Sequence, residues 1–93
     1  MAEEHESSMV EFEEKHLIAI MLFLSINRTC RKIDIYTKVS SNPRIPDKLD
    51  KLESLGLITQ TMPSGTRSVI ISLTEKGGIV ADNLAELDKI VKS

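Results

Sequence analysis

The sequence predicts a mainly α domain carrying one small antiparallel β-hairpin, and three observations predict it. Apolar residues recur at helical spacing in separate stretches of the 93-residue chain. Helix-boundary residues, Asn42-Pro43, Gly56 and Thr74, punctuate those stretches. Two short β-rich runs flank Pro63-Ser64-Gly65-Thr66-Arg67, which carries turn chemistry.

Residues 1–8 are acidic and polar without apolar periodicity, and read as a disordered tail ahead of a single domain over residues 9–93. A helix is predicted from Met9 to Ile26. Phe12, His16, Ala19, Phe23 and Ile26 share one stripe of it, Val10, Leu17, Met21 and Leu24 another, so it is apolar all round. One face can pack on its own domain; the surplus calls for a second partner. Asn27 is a left-handed stop, and Cys30 to Ile33 reads as a short strand or extended link.

Asp34 is a plausible N-cap for a helix to about Val39, with Ile35, Tyr36 and Val39 facing inward. Ser40-Ser41 forms a turn. Asn42 followed by Pro43 is a strong helix start, because Asn accepts from an orphan N–H and Pro has none to leave unpaired. The helix from Pro43 to Leu55 aligns Ile45, Leu49, Leu52 and Leu55, and Gly56 closes it in the left-handed conformation.

Residues 57–62 and 68–73 read as strands, with Val69, Ile71 and Leu73 turned inward. Thr74 is the natural N-cap of a last helix, and Glu75 sits favourably at the positive end of its dipole. Ile79, Val80, Leu84, Leu87, Ile90 and Val91 form a wide stripe along it. Gly77 and Gly78 read as a frayed first turn, with close approach of another backbone as the alternative.

Composition narrows the function. With 41% hydrophobic and 28% charged residues the chain is an ordinary globular domain, but 3% aromatics and no Trp leave the core to Ile, Leu, Val and Met. So small a domain buries a limited share of its surface, which dimerisation would relieve. The apolar run at 17–26 is shorter than a bilayer span and follows acid instead of a basic leader, so a cytoplasmic protein with no membrane partner is expected.

Cys30 is the only cysteine, and with His5 and His16 it forms no metal-ligand set of known spacing. Neither a nucleophile elbow nor a phosphate-cradling glycine loop is present. No catalytic residue, cofactor or metal is expected, and the protein reads as not an enzyme. His16 reads as a packed core or interface residue. Arg31 and Lys32 would lower the Cys30 thiol pKa if it were exposed.

The formal net charge is −2, but its distribution is uneven. Residues 28–51 carry seven bases against three acids, a net +4, while residues 1–15 carry six acids against Lys15, a net −5. Such a basic cluster suits an anionic partner, or is simply a solvated face.

The order helix, helix, strand, tight turn, strand, helix over roughly residues 28–87, with Ser40-Ser41-Asn42-Pro43, Leu55-Gly56-Leu57-Ile58, Pro63-Ser64-Gly65-Thr66 and Leu73-Thr74-Glu75-Lys76-Gly77 at its joints, resembles the winged helix-turn-helix of small MarR-like prokaryotic transcription regulators. The resemblance implies a short strand before the first of these helices, a recognition helix over Pro43–Leu55, and a small antiparallel β-wing. It implies binding of double-stranded DNA. Ser40, Ser41 and Asn42 then stand where such proteins contact bases or phosphates, and Arg44, Asp47, Lys48 and Lys51 lie on the outward side of the recognition helix. The Arg44 fork matches the two acceptors of guanine. Asp47 and Asp50 depart from a strongly basic helix; an outward Asp can accept from cytosine or penalise wrong sites. In the wing, Ser64 and Thr66 could bond phosphates and Arg67 could enter a narrow minor groove.

The first and last helices are expected to form a homodimer through Leu17, Met21, Leu24, Leu84, Leu87 and Val91. A rival reading keeps the fold and makes the chain a protein-interaction module that meets its partner through the acidic tail and apolar helix. Any small-molecule effector is left open.

Overall fold

The computed structural model describes residues 8–93, and residues 1–7, most of the predicted acidic tail, lie outside the described residues. A leading 3-10 helix, Ser8–Glu13, precedes α1 (Leu17–Ile26), β1 (Thr29–Arg31), α2 (Lys32–Lys38), α3 (Ile45–Ser54), β2 (Ile58–Thr61), β3 (Ile70–Leu73) and α4 (Glu75–Lys92). The architecture is mainly helical with one three-stranded antiparallel sheet, the winged-helix arrangement that the order of local signals predicts.

The continuous helix expected from Met9 to Ile26 is instead broken. His16 adopts a left-handed φ of 74°, and α1 starts at Leu17. Contacts to the rest of the domain draw the preceding segment off the helix axis: Phe12 packs against the core, while Glu11 and Glu14 pair with Lys51 and Lys48 of α3. Asn27 closes α1 at a φ of −106°, not in the predicted left-handed turn, and both its backbone N–H and its side-chain Nδ2 donate to the Phe23 carbonyl.

The cap of α2 also differs from expectation. Arg31 is the N-cap, and Asp34 stands three residues inside, its Oδ2 accepting the Arg31 N–H at 3.0 Å. That is the reciprocal half of a capping box, which a short acid at this position can fill. The helix therefore begins before Asp34. In α3 the Asn42 Oδ1 accepts the Arg44 N–H at 2.8 Å, so Asn42 and Pro43 build the entering turn and the helix starts at Ile45. Pro46 falls in the first helical turn, where a missing N–H breaks no intrahelical bond.

The far end of α3 matches its sequence signal. Gly56 at a φ of 79° lets its N–H reach the Glu53 carbonyl at 2.9 Å, and the Leu57 N–H reaches the Leu52 carbonyl at 3.1 Å. Those two bonds make a Schellman motif and aim the chain into β2.

The sheet order is β1-β3-β2, with Cys30 opposite Ile71 on one side and Gln60 opposite Ile71 on the other. Of the two readings of this stretch, short strand or extended link, the strand holds, at Thr29–Arg31, because β3 offers it a free edge. Ile71 is fully buried, while Val69 and Leu73 pack half-buried against the same core. Thr74 caps α4 as predicted, its Oγ1 accepting the Gly77 N–H at 2.9 Å and donating to the Gly56 carbonyl at 2.6 Å. Gly77 is no frayed turn: it is buried, and a Cβ there would overlap the Leu57 carbonyl.

One core unites α1, α3, the sheet and α4. Leu17, Ile20, Met21 and Leu24 of α1, Ile35 of α2, and Ile45, Leu49 and Leu52 of α3 are wholly buried in it. Four of the six residues expected at the dimer surface lie inside this chain's own core. Leu17, Met21 and Leu24 have no exposed area because α1 lies along α4 of its own chain, and Leu84 is 8% exposed for the same reason. Leu87 and Val91 point outward at 54% and 81%, beside the exposed Ile90.

Candidate nucleic-acid interface

The turn between α2 and α3 spends part of its polar chemistry on itself. The Ser40 Oγ accepts the Asn42 N–H at 3.1 Å, and the Asn42 side-chain oxygen is taken by Arg44. Ser41 is left exposed. Arg44 projects from the start of α3 with its side chain 74% exposed, and its Nε lies 3.8 Å from Asp47 of the next turn. A pair this exposed is weak and leaves the guanidinium fork available to another acceptor.

Lys48 and Lys51 are not available in the same way. Lys48 Nζ donates to Glu14 Oε1 at 3.1 Å with its side chain only 16% exposed, and Lys51 Nζ lies 2.5 Å from Glu11 Oε1. The bond from Lys51 to the Glu11 carboxylate, and then that carboxylate's charge, raise the Lys51 pKa above its ordinary value. On the opposite flank, Gln60 Nε2 donates to both Asp50 Oδ1 and Glu53 Oε1 at 3.0 Å, and the Gln60 N–H donates to Glu53 Oε2. Asp50 therefore ties α3 to β2 instead of standing free. The exposed surface of α3 presents Arg44, Asp47 and Ser54, with the Gln60-bound carboxylates of Asp50 and Glu53 beside them, so it is not a strongly basic strip.

The β2–β3 loop projects as a wing. Its turn is closed by the Thr66 N–H and Oγ1, which both donate to the Pro63 carbonyl, with Gly65 at a φ of 84°. Ser64, Thr66 and Arg67 are all exposed. Arg67 shares a groove of about 220 Å³ with Arg31, Lys32, Ile33, Tyr36, Ser68 and Val69. The pairing of β1 with β3, continued by the Lys32 N–H donating to the Val69 carbonyl at 2.8 Å, brings the start of α2 beside the wing. Sequence reasoning missed Lys32 as a neighbour of Arg67. Only the strand register, not spacing along the chain, joins them.

Cys30 is half-buried on β1, and burial first, then the nearby Asp34 charge, push its thiol pKa up. The lowering by Arg31 and Lys32 is conditional on exposure, which the half-buried thiol does not have, and the Arg31 guanidinium is engaged by Asp34 at 3.2 Å. Among the described residues no three His, Cys, Asp or Glu side chains gather to hold a metal ion, and no helix is long and apolar enough to cross a membrane.

No protein-family model and no curated protein matches the chain. Solved structures do. A transcriptional regulator homologue from Pyrococcus horikoshii superposes with a TM-score of 0.67 at 18% identity, covering 90% of this chain and 93% of that one. A mutant of ZitR from Lactococcus lactis in its apo form gives a TM-score of 0.73 at 26% identity, over 89% of this chain and 64% of that one. Reduced AbfR bound to DNA gives 0.57 at 20% identity, over 90% and 75%. The chain thus has the winged helix-turn-helix fold of the MarR-like transcriptional regulators.

Proposed function

We propose that this chain is a sequence-specific, double-stranded-DNA-binding transcriptional regulator that acts as a homodimer in the cytoplasm. The observation that carries the reading is the pair of exposed arginines at the two ends of the reading unit: Arg44 at the start of α3 and Arg67 on the wing. In a helix-turn-helix the start of the second helix meets base edges in the major groove, while the wing follows the backbone into the flanking groove. Reduced AbfR, a structural neighbour of this chain, is bound to DNA, which supports DNA as the partner. Basic side chains around the wing groove, Lys32 with Arg67, add phosphate contacts. Two copies joined through the exposed apolar residues of α4 would set their α3 helices about 34–36 Å apart, one turn of duplex, and would read an inverted repeat.

A second reading, a winged helix that docks a protein, is favoured by one observation: most cations of the 28–51 segment are matched by a carboxylate, Arg28 by Asp82, Arg31 by Asp34, Lys48 by Glu14 and Lys51 by Glu11. Titration of genomic duplex fragments into the protein and its Arg44→Ala and Arg67→Ala variants separates the two.

A further inference from the structure

The 3-10 segment and α3 meet through charge. Glu11 reaches Lys51 and Glu14 reaches Lys48, so two carboxylates cover the basic flank of the helix that carries Arg44. The contact is not a pair of loose surface bridges. Lys48 keeps only 16% of its side chain exposed, and Phe12 between the two glutamates packs against the core. The segment is joined to α1 through His16 at a left-handed φ of 74°, a conformation that costs a non-glycine residue free energy and is held only while its surroundings enforce it. Carboxylates on lysines of a reading helix stand where phosphate oxygens would stand on bound duplex.

We propose that residues 8–15 are a built-in competitor of the nucleic-acid backbone: Glu11 and Glu14 mask Lys51 and Lys48 in the free protein, and the segment swings away at His16 when duplex binds. This rests on the DNA-binding reading above. Masking subtracts two phosphate contacts from encounters with arbitrary sequence, where affinity is almost wholly electrostatic, and leaves Arg44 to find its base. The device thus suppresses nonspecific binding more than binding to the operator.

The test is duplex titration of the full chain carrying Glu11→Gln and Glu14→Gln together, against a charge-matched control, Glu13→Gln with Glu86→Gln, whose carboxylates have no contact with α3. The Glu11→Gln, Glu14→Gln variant, its Lys48 and Lys51 unmasked, should bind nonspecific duplex about three- to tenfold tighter than the control at low salt, with a steeper salt dependence. In a Lys48→Ala, Lys51→Ala background the same glutamine substitutions should have no effect beyond that of the control. Equal binding by the two glutamine variants would overturn the inference and leave the DNA-binding reading standing, the segment then being a structural strap. Failure of every variant to bind any duplex would overturn both.

Discussion

The α-carbon of Gly77, in the first turn of α4, packs directly on the backbone carbonyl of Leu57, so that a Cβ at this position would overlap the carbonyl oxygen. Gly78, one residue on, faces only the flexible end of Arg28. The two adjacent glycines therefore respond oppositely. Gly77→Ala should destabilise the domain by about 1–3 kcal/mol through forced backbone displacement, whereas Gly78→Ala should be neutral or stabilise by up to about 1 kcal/mol through helix propensity. Urea unfolding midpoints measured side by side check both.

Asp34 couples stability to acid. The Arg31 backbone N–H, and then the Arg31 side chain, hold its carboxyl below the ordinary carboxylate range. A carboxyl depressed in the folded state contributes stability that is present above its unfolded pKa and is lost as pH falls through the folded one. Thermal midpoints recorded from pH 7 downward should therefore fall less steeply for Asp34→Asn than for the parent, starting from a lower value at neutral pH. Parallel curves would show that the cap contributes nothing.

Cys30 should react slowly with a thiol reagent at neutral pH. Burial and the Asp34 charge disfavour its thiolate, and β1 holds it against Ile71. Its labelling rate should fall well below that of a free thiol and recover in denaturant. Fast labelling of the folded protein would contradict the strand placement.

Leu87 and Val91 are exposed on α4 and can be altered without opening the core. Leu87→Glu with Val91→Glu should convert the proposed dimer to a monomer in sedimentation equilibrium at micromolar concentration, with duplex affinity falling in parallel. A monomeric parent protein under those conditions would refute the dimer.

What the sequence made legible was local. Asn42, Gly56, the turn at Pro63–Thr66 and Thr74 act on backbone groups within a few residues of themselves, so the element order could be written down before any tertiary contact was known. What escaped was long-range. Glu14 meets Lys48 across 34 positions, and Thr29 meets Ser72 across 43, in pairings that no periodicity encodes. The apolar surplus of α1 is legible in the sequence, yet Leu17, Met21 and Leu24, which the sequence alone offers to a second subunit, are buried within the chain, where α1 lies along α4. Counting bases over 28–51 found a positive segment but not the carboxylates folded onto it.

The most direct test of DNA binding is a titration of fluorescent genomic duplex fragments at about 50 mM and about 200 mM salt, with the parent protein and with Arg44→Ala, Arg67→Ala. Binding should weaken steeply between the two salts as counterions are released, and at fixed salt Arg44→Ala should cost about 1–3 kcal/mol and relax the preference for the bound fragments. Arg67→Ala should weaken all fragments and shallow the salt slope by about one contact. Duplex affinity that is absent, or unchanged by salt and by both substitutions, would contradict the account.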